Sequence, residues 1–171
     1  MRAVVVERFG GPDVLELKEI ERPEPGPGEL LVRVVCAGTN PVDAKLRQFG
    51  GGARVSAPVV LGYDVSGVVE AVGPGVKRFQ PGDEVYYMLE VFGARPGAYA
   101  EYNVVPEEWV ARRPASLSHE EAAPFPWPAA RRGRASCGGS RCSRAKRCSS
   151  TAAQEAWVRS RCSWPRRAAP G

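Results

Sequence analysis

Residues 61–86 read Leu-Gly-Tyr-Asp-Val-Ser-Gly-Val-Val-Glu-Ala-Val-Gly-Pro-Gly-Val-Lys-Arg-Phe-Gln-Pro-Gly-Asp-Glu-Val-Tyr, and their punctuation sets the fold class. Residues 68–72, Val-Val-Glu-Ala-Val, form a strand pattern, since β-branched side chains pack well on a pleated surface. Gly73-Pro74-Gly75 breaks it: glycine accepts positive φ and proline cannot donate to a ladder. Gln80-Pro81-Gly82-Asp83 makes a second turn, with proline pre-setting φ and glycine taking the left-handed position. A strand resumes at residues 84–87, so the stretch reads strand, turn, short excursion, turn, strand.

Working outward, residues 1–6 and the alternating residues 14–19 form two strands joined by the Gly10-Gly11-Pro12-Asp13 turn. Residues 21–29 hold three prolines and two glycines and make an extended linker, followed by a clear strand at residues 30–38. Asn40-Pro41-Val42-Asp43 is an Asx-type turn into a short helix, with Asp43 in the first turn, where a carboxylate complements the helix dipole. Gly50-Gly51-Gly52 ends that helix, and two readings fit it: a mobile lid over a pocket, or a plain surface loop. Residues 97–105 form another strand, residues 106–109 a turn, and residues 110–111 a return. Ser118 followed three residues later by Glu121 is a capping box that starts a helix, and Pro124, Pro126 and Pro128 stop it.

The residues GYDVSGVVEAVGPGVKRFQPGDEVY (62–86), MRAVVVERFGGPDVLEL (1–17) and PGPGELLVRVVCAGTNPVD (25–43) resemble the GroES-like N-terminal domain of the medium-chain dehydrogenase/reductase superfamily. The resemblance covers residues 1–123. It implies a mainly β fold, a partly open GroES-like barrel with a few short helices. Zinc-dependent members carry a cysteine where this chain has Asn40 and a His-Glu pair where it has Tyr63-Asp64. No cysteine lies between Cys36 and Cys137, so the structural zinc lobe has no ligands either. Zinc requires thiolate, imidazole or carboxylate donors in tetrahedral geometry, which an amide and a phenol do not provide. A protein without zinc is therefore expected, with His119, the single histidine, a surface residue.

AGTNPVDAKLR (37–47) and LGYDVSGVVEAVG (61–73) are similar to the zinc-independent, zeta-crystallin-like quinone oxidoreductase branch. That resemblance implies hydride transfer from NADPH to a quinone or an α,β-unsaturated carbonyl, the cofactor performing the chemistry and the protein setting orientation. It also implies a substrate and nicotinamide pocket lined by Asn40, Asp43, Lys45 and Tyr63. Asn40 would bond cofactor or substrate, and Tyr63 would donate to a developing oxyanion. Lys45 departs from the tyrosine of some members. The alternative is that Asn40 and Asp43 only cap a turn and Tyr63 only packs.

Charge divides the chain. Of 24 basic and 19 acidic residues, residues 124–171 hold eleven Lys or Arg and one acid, Glu155, leaving residues 1–123 acidic. Four of the five cysteines (Cys137, Cys142, Cys148, Cys162) also lie beyond residue 123. That tail shows no period of 2 or 3.6 and is expected to be a disordered, basic segment. A zinc module lacks any C-x-x-C pair, and an arginine-rich nucleic-acid arm is a second reading. A third is a shifted reading frame. Beginning each codon of residues 144–165 one base earlier admits Gly-Glu-Ala-Val-Leu-Ile-His-Gly-Gly-Ala-Gly-Gly-Val-Gly-Ser-Leu-Ala-Val-Gln-Leu-Ala, a strand, glycine-rich phosphate loop and helix. On this reading the nucleotide-binding half is missing, the chain alone is inactive, and the face that would meet that half invites self-association. Met1–Val6 is too short for a signal peptide and nothing approaches the roughly 20 apolar residues of a membrane span. A single cysteine within residues 1–123 fits a reducing compartment, so a cytoplasmic protein is expected.

Overall fold

The computed structural model describes residues 1–50, 55–91 and 95–126. Among these described residues, eight strands and two short α-helices appear in the order β1 (Arg2–Val6), β2 (Leu15–Glu19), β3 (Glu29–Gly38), α1 (Pro41–Phe49), β4 (Val59–Val60), β5 (Asp64–Val72), β6 (Glu84–Met88), β7 (Tyr102–Pro106), β8 (Val110–Arg112) and α2 (His119–Ala122). They make two antiparallel sheets, a three-stranded one in the order β2-β1-β4 and a five-stranded one in the order β7-β3-β5-β6-β8. This is the mainly β architecture that the sequence pattern and its resemblance called for. The described residues all fall in one unit, Met1–Ser136.

Strand β3 is the spine of the larger sheet, pairing with β5 on one side and β7 on the other. The β3–β5 ladder carries two irregularities. Leu31 opposes Ala71 and Val32 opposes Val69, leaving Glu70 extra on β5; Val34 opposes Gly67 and Cys36 opposes Ser66, leaving Val35 extra on β3. One bulge on each strand offsets the other, and the ladder still closes with Gly38 opposite Asp64.

Residues 97–101 join the two sheets. The amides of Gly97, Tyr99 and Ala98 donate to the carbonyls of Val60 (2.8 Å), Leu61 (2.9 Å) and Gly62 (2.8 Å). On the other side, Val4 N donates to Tyr99 O (2.8 Å), Glu101 N donates to Arg2 O (3.1 Å), and Ala3 bridges Ala100. The expected strand over residues 97–105 is thus regular only from Tyr102. Its first half bonds β4, residues 61–62 and β1, and reaches the five-stranded sheet where Val34 N donates to Glu101 O (2.9 Å), instead of following one ladder.

The core runs between the sheets through Val6, Val14, Leu30, Val32, Leu46, Leu61, Val65, Val69, Val85 and Val105. Strand β5 begins four residues before the apolar run that signalled it, because residues 64–68 are held by β6. Strand β4 is only two residues long and had no pattern of its own. Gly67, which looks like punctuation, lies inside β5. A Cβ there would press on the Arg33 carbonyl and lie 2.8 Å from Val32 Cγ1, so the two strands meet only because the side chain is absent.

The extended linker before β3, the capped start of α1 and the capping box of α2 are all present. The glycine loop beyond Gly50 and the expectations for the basic tail from residue 127 onward lie outside the described residues. Among the described residues, no helix is long and apolar enough to cross a membrane. Replacing Gly67 by alanine is expected to destabilise the domain by about 2 kcal/mol, as overpacking does in close-packed interiors. Urea unfolding compared with the parent protein measures it.

Candidate functional site

The end of the β3–β5 ladder places the candidate site. Gly38 and Asp64 are paired there, and two residues past Gly38 the chain turns into α1 at Asn40. Asn40 is extended (φ −128°, ψ 155°), and Pro41 supplies the fixed φ of the first helical position. The Asn40 amide N–H donates to Asp43 Oδ2 (2.6 Å), which satisfies one of the orphan donors at the helix start. The side-chain Nδ2 of Asn40 donates to Asp64 Oδ2 (2.9 Å).

Asp64 is fully buried and Asp43 is 6% exposed, so this junction holds two carboxyl groups in the interior. Asp43 Oδ1 is buried with no partner in hydrogen-bonding geometry. Burial pushes the Asp43 carboxyl above its ordinary 3.8, against the opposing pull of the Asn40 amide, the Tyr99 hydroxyl and the Gly62 amide. Tyr63 is 4% exposed; burial first, and the Asp43 charge second, push its phenol up to about 12. The same two causes raise Tyr99 as well. Gly62 (φ +92°) sits beneath the Tyr99 ring, where a Cβ would come 2.7 Å from Cδ1. Both the left-handed backbone and the ring contact exclude a side chain at residue 62.

Asn40, Asp43 and Tyr63 are thus drawn into one polar cluster. Lys45 is not part of it: the buried positions of α1 are Asp43 and Leu46, and Lys45 is exposed. Chemically, the cluster offers an amide and two phenols that remain protonated donors across the neutral range, set against a carboxyl held away from water. Among the described residues, no three or more His, Cys, Asp or Glu side chains gather to hold a metal ion.

Three residues that the sequence did not mark out belong to this region. Tyr99 reaches it through the inter-sheet segment. Ser66 and His119 lie one layer further along β5. Ser66 is fully buried, its Oγ donates to Val85 O (3.3 Å), and it stands 2.8 Å from His119 Nδ1. The Nε2 of His119 lies 3.5 Å from Glu84 Oε1, and Glu84 is paired with Arg113. His119 is therefore not the surface residue expected: its side chain is 16% exposed and pins α2 to β5. A lone histidine at a helix start carries no mark of the buried serine it will meet.

Because the native state holds the Asp43 proton more tightly than the unfolded chain, this group's contribution to stability falls as pH rises from 3.8 through the raised native value. Asp43→Asn keeps an acceptor for the Asn40 amide and removes the titration. The difference in unfolding free energy between parent and variant is expected to shift against the parent over that window. Chemical denaturation at a series of pH values checks it; parallel curves would remove the assigned cause.

Residues 26–115 match the family of the alcohol dehydrogenase GroES-like domain. The chain is 40% identical over 126 residues to the mouse (Mus musculus) synaptic vesicle membrane protein VAT-1 homolog-like, covering 74% of this chain and 29% of that one. It is 42% identical over 132 residues to the chloroplastic NADPH-dependent alkenal/one oxidoreductase of Arabidopsis thaliana, covering 74% of this chain and 34% of that one. The solved quinone oxidoreductase of Coxiella burnetii superposes with a TM-score of 0.69 at 33% identity, covering 74% of this chain and 41% of that one. The chain spans about a third of the length of the curated relatives it matches. With the paired sheets, the capped α1 and the matched residues together, the chain belongs to the alcohol dehydrogenase GroES-like domain family of the medium-chain dehydrogenase/reductase superfamily.

Proposed function

We propose that this domain is the substrate side of an NADPH-dependent reductase acting on quinones or α,β-unsaturated carbonyls, working without zinc. The observation that carries the reading is the Asn40–Asp64 hydrogen bond beside the buried Tyr63 phenol. By the motif resemblance, Asn40 and Tyr63 correspond to the thiolate and imidazole of zinc-dependent members of the superfamily. An amide that already donates to the neighbouring carboxylate, and a phenol raised to about 12, are poor zinc donors at neutral pH. They are suitable hydrogen-bond donors toward a carbonyl oxygen that gains negative charge.

NADPH, when bound, supplies the hydride. The part left to this chain is positioning. Asn40, held by Asp64, fixes the orientation of a carbonyl or of the carboxamide beside it. Tyr63 keeps its proton and stabilises the developing oxyanion. Asp43 anchors the first turn of α1, so that Asn40 keeps its place, and Lys45 meets solvent-side groups of the acceptor. The two relatives whose names specify alkenal/one and quinone substrates support this class of acceptor. The family resemblance implies that such an enzyme has, beyond this domain, a phosphate-gripping, glycine-rich half. On this reading, the chain alone neither binds NADPH tightly nor turns over, and it works in a cytoplasmic, reducing setting.

Two measurements test this. Mixed with NADPH and a simple quinone, the chain of residues 1–171 is expected to show no cofactor oxidation, and a micromolar NADPH affinity would refute the missing-half reading. Joined through residue 123 to the downstream part of the Arabidopsis relative, the domain is expected to support NADPH-dependent reduction of an alkenal. Tyr63→Phe in that fusion should lower kcat by roughly a hundredfold, in line with loss of one oxyanion donor. A Tyr63→Phe fusion of undiminished kcat would remove Tyr63 from the chemistry.

A further inference from the structure

Strand β2 lies at the outer edge of the three-stranded sheet, bonded only to β1 among the described residues. Its burial pattern is unusual for a strand. Leu15 is 40% exposed and Leu17 is 69% exposed, with Glu16, Lys18 and Glu19 beside them. An edge of this kind is a ready template for another strand. What would fill it is readable from hydrogen-bond parity and charge.

The Met1–Ile20 pair fixes the parity. The Met1 amine donates to Ile20 O (2.7 Å) and Ile20 N donates to Met1 O (2.8 Å), so these two residues exchange both bonds. Alternation along an antiparallel ladder then makes Ala3–Lys18 and Val5–Glu16 the next bonded pairs. The N–H and C=O groups of Leu17 and Glu19 consequently point away from β1, toward the free edge. Leu15 does the same, but its N–H already donates to Pro12 O.

We propose that the free edge of β2 pairs with β2 of a second copy of this chain, antiparallel and centred on Leu17. In that register Leu17 meets Leu17 of the partner in a bonded pair, and Leu15 faces Glu19 of the partner. Leu17 contributes two backbone bonds across the two-fold axis, and Glu19 N to Leu15 O contributes one on each side. Glu16 then stands opposite Lys18 of the partner, twice. Neighbouring registers bring like charges together: centring on Glu16 opposes two glutamates, centring on Lys18 opposes two lysines, and centring on Glu19 again opposes two glutamates. Backbone parity admits this register and charge favours it over those centred on Glu16, Lys18 or Glu19, and it brings both leucines of the strand to the junction. Lys18 already reaches Glu16 (3.2 Å) and Glu7 (2.6 Å) within one chain, so the cross-axis pairs extend an existing charge cluster. A ribbon of five residues per copy is smaller than a standard-size interface, so the dimer is weak and concentration-dependent. This surface is separate from the Asn40–Tyr63 site, and the proposal stands independently of the function assigned to that site.

Sedimentation velocity of the full chain between about 5 and 500 μM tests it. A reversible monomer–dimer equilibrium is expected. Lys18→Glu and Glu16→Lys should each raise the midpoint concentration roughly tenfold or more, since each places like charges opposite one another twice. The double variant Glu16→Lys/Lys18→Glu exchanges the charges across the same axis and should restore the parent midpoint. Leu17→Pro removes an outward N–H that β1 does not use and should abolish the dimer. Circular dichroism of each variant separates lost association from lost folding. A chain that stays monomeric throughout, a dimer indifferent to the single reversals, or a double variant that fails to recover overturns the proposal.

Discussion

The structure depends on the close approach of β3 and β5. At Gly67 the two backbones come near enough that no Cβ fits beneath the Arg33 carbonyl. That contact stacks Val32, Val65 and Val69 into the core. It also sets a register in which one bulge on each strand compensates the other. Had only one bulge formed, every side chain beyond it would face the opposite side of the sheet. With both, the ladder ends at Gly38 opposite Asp64, and Asn40 comes within hydrogen-bonding distance of Asp64. The position of the polar cluster is therefore a consequence of strand register.

That cluster is an expensive thing to build. Asp43, Asp64, Ser66 and Asn103 are all buried, and polar groups removed from water need partners to offset lost hydration. Three of them show how this is met. Asp64 accepts from the Asn40 side-chain amide, and Ser66 meets both Val85 O and His119. Asn103 donates to Pro96 O and accepts from the Tyr87 hydroxyl. Asp43 is the exception: the Asn40 backbone amide engages one oxygen, while the Tyr99 hydroxyl and the Gly62 amide face the carboxyl and leave Oδ1 without a partner in good hydrogen-bonding geometry. A carboxyl kept partly unsatisfied among two phenols is the kind of local cost that functional sites carry. The α2 anchor adds to this by covering the outward face of β5 at Ser66, which explains why the first half of that strand is buried on both faces.

Much of the fold was legible because its signals are local. Turn residues at 10–13, 73–75 and 80–83 have φ demands that few side chains meet, and the runs at 1–6, 30–38 and 84–87 alternate or branch as strands do. Asn40 and Asp43 announced a helix start through their spacing, and Ser118 with Glu121 announced another. Glycine was the misleading residue. Gly67 looks in sequence like Gly73 or Gly82, yet it lies within a strand, where cross-strand proximity, not a turn, demands it.

The sequence by itself determined most element types and the capped helix starts, and marked Asn40, Asp43, Lys45 and Tyr63, since each rests on local backbone preference or on motif. Only the tertiary structure decided which of these meet. It added Tyr99 by routing residues 97–101 between the sheets, and Ser66 with His119 by folding α2 onto β5. It left Lys45 in solvent. The physical reason is that burial and pairing across 24 or 53 residues follow from strand register and packing, quantities that no short window of sequence contains.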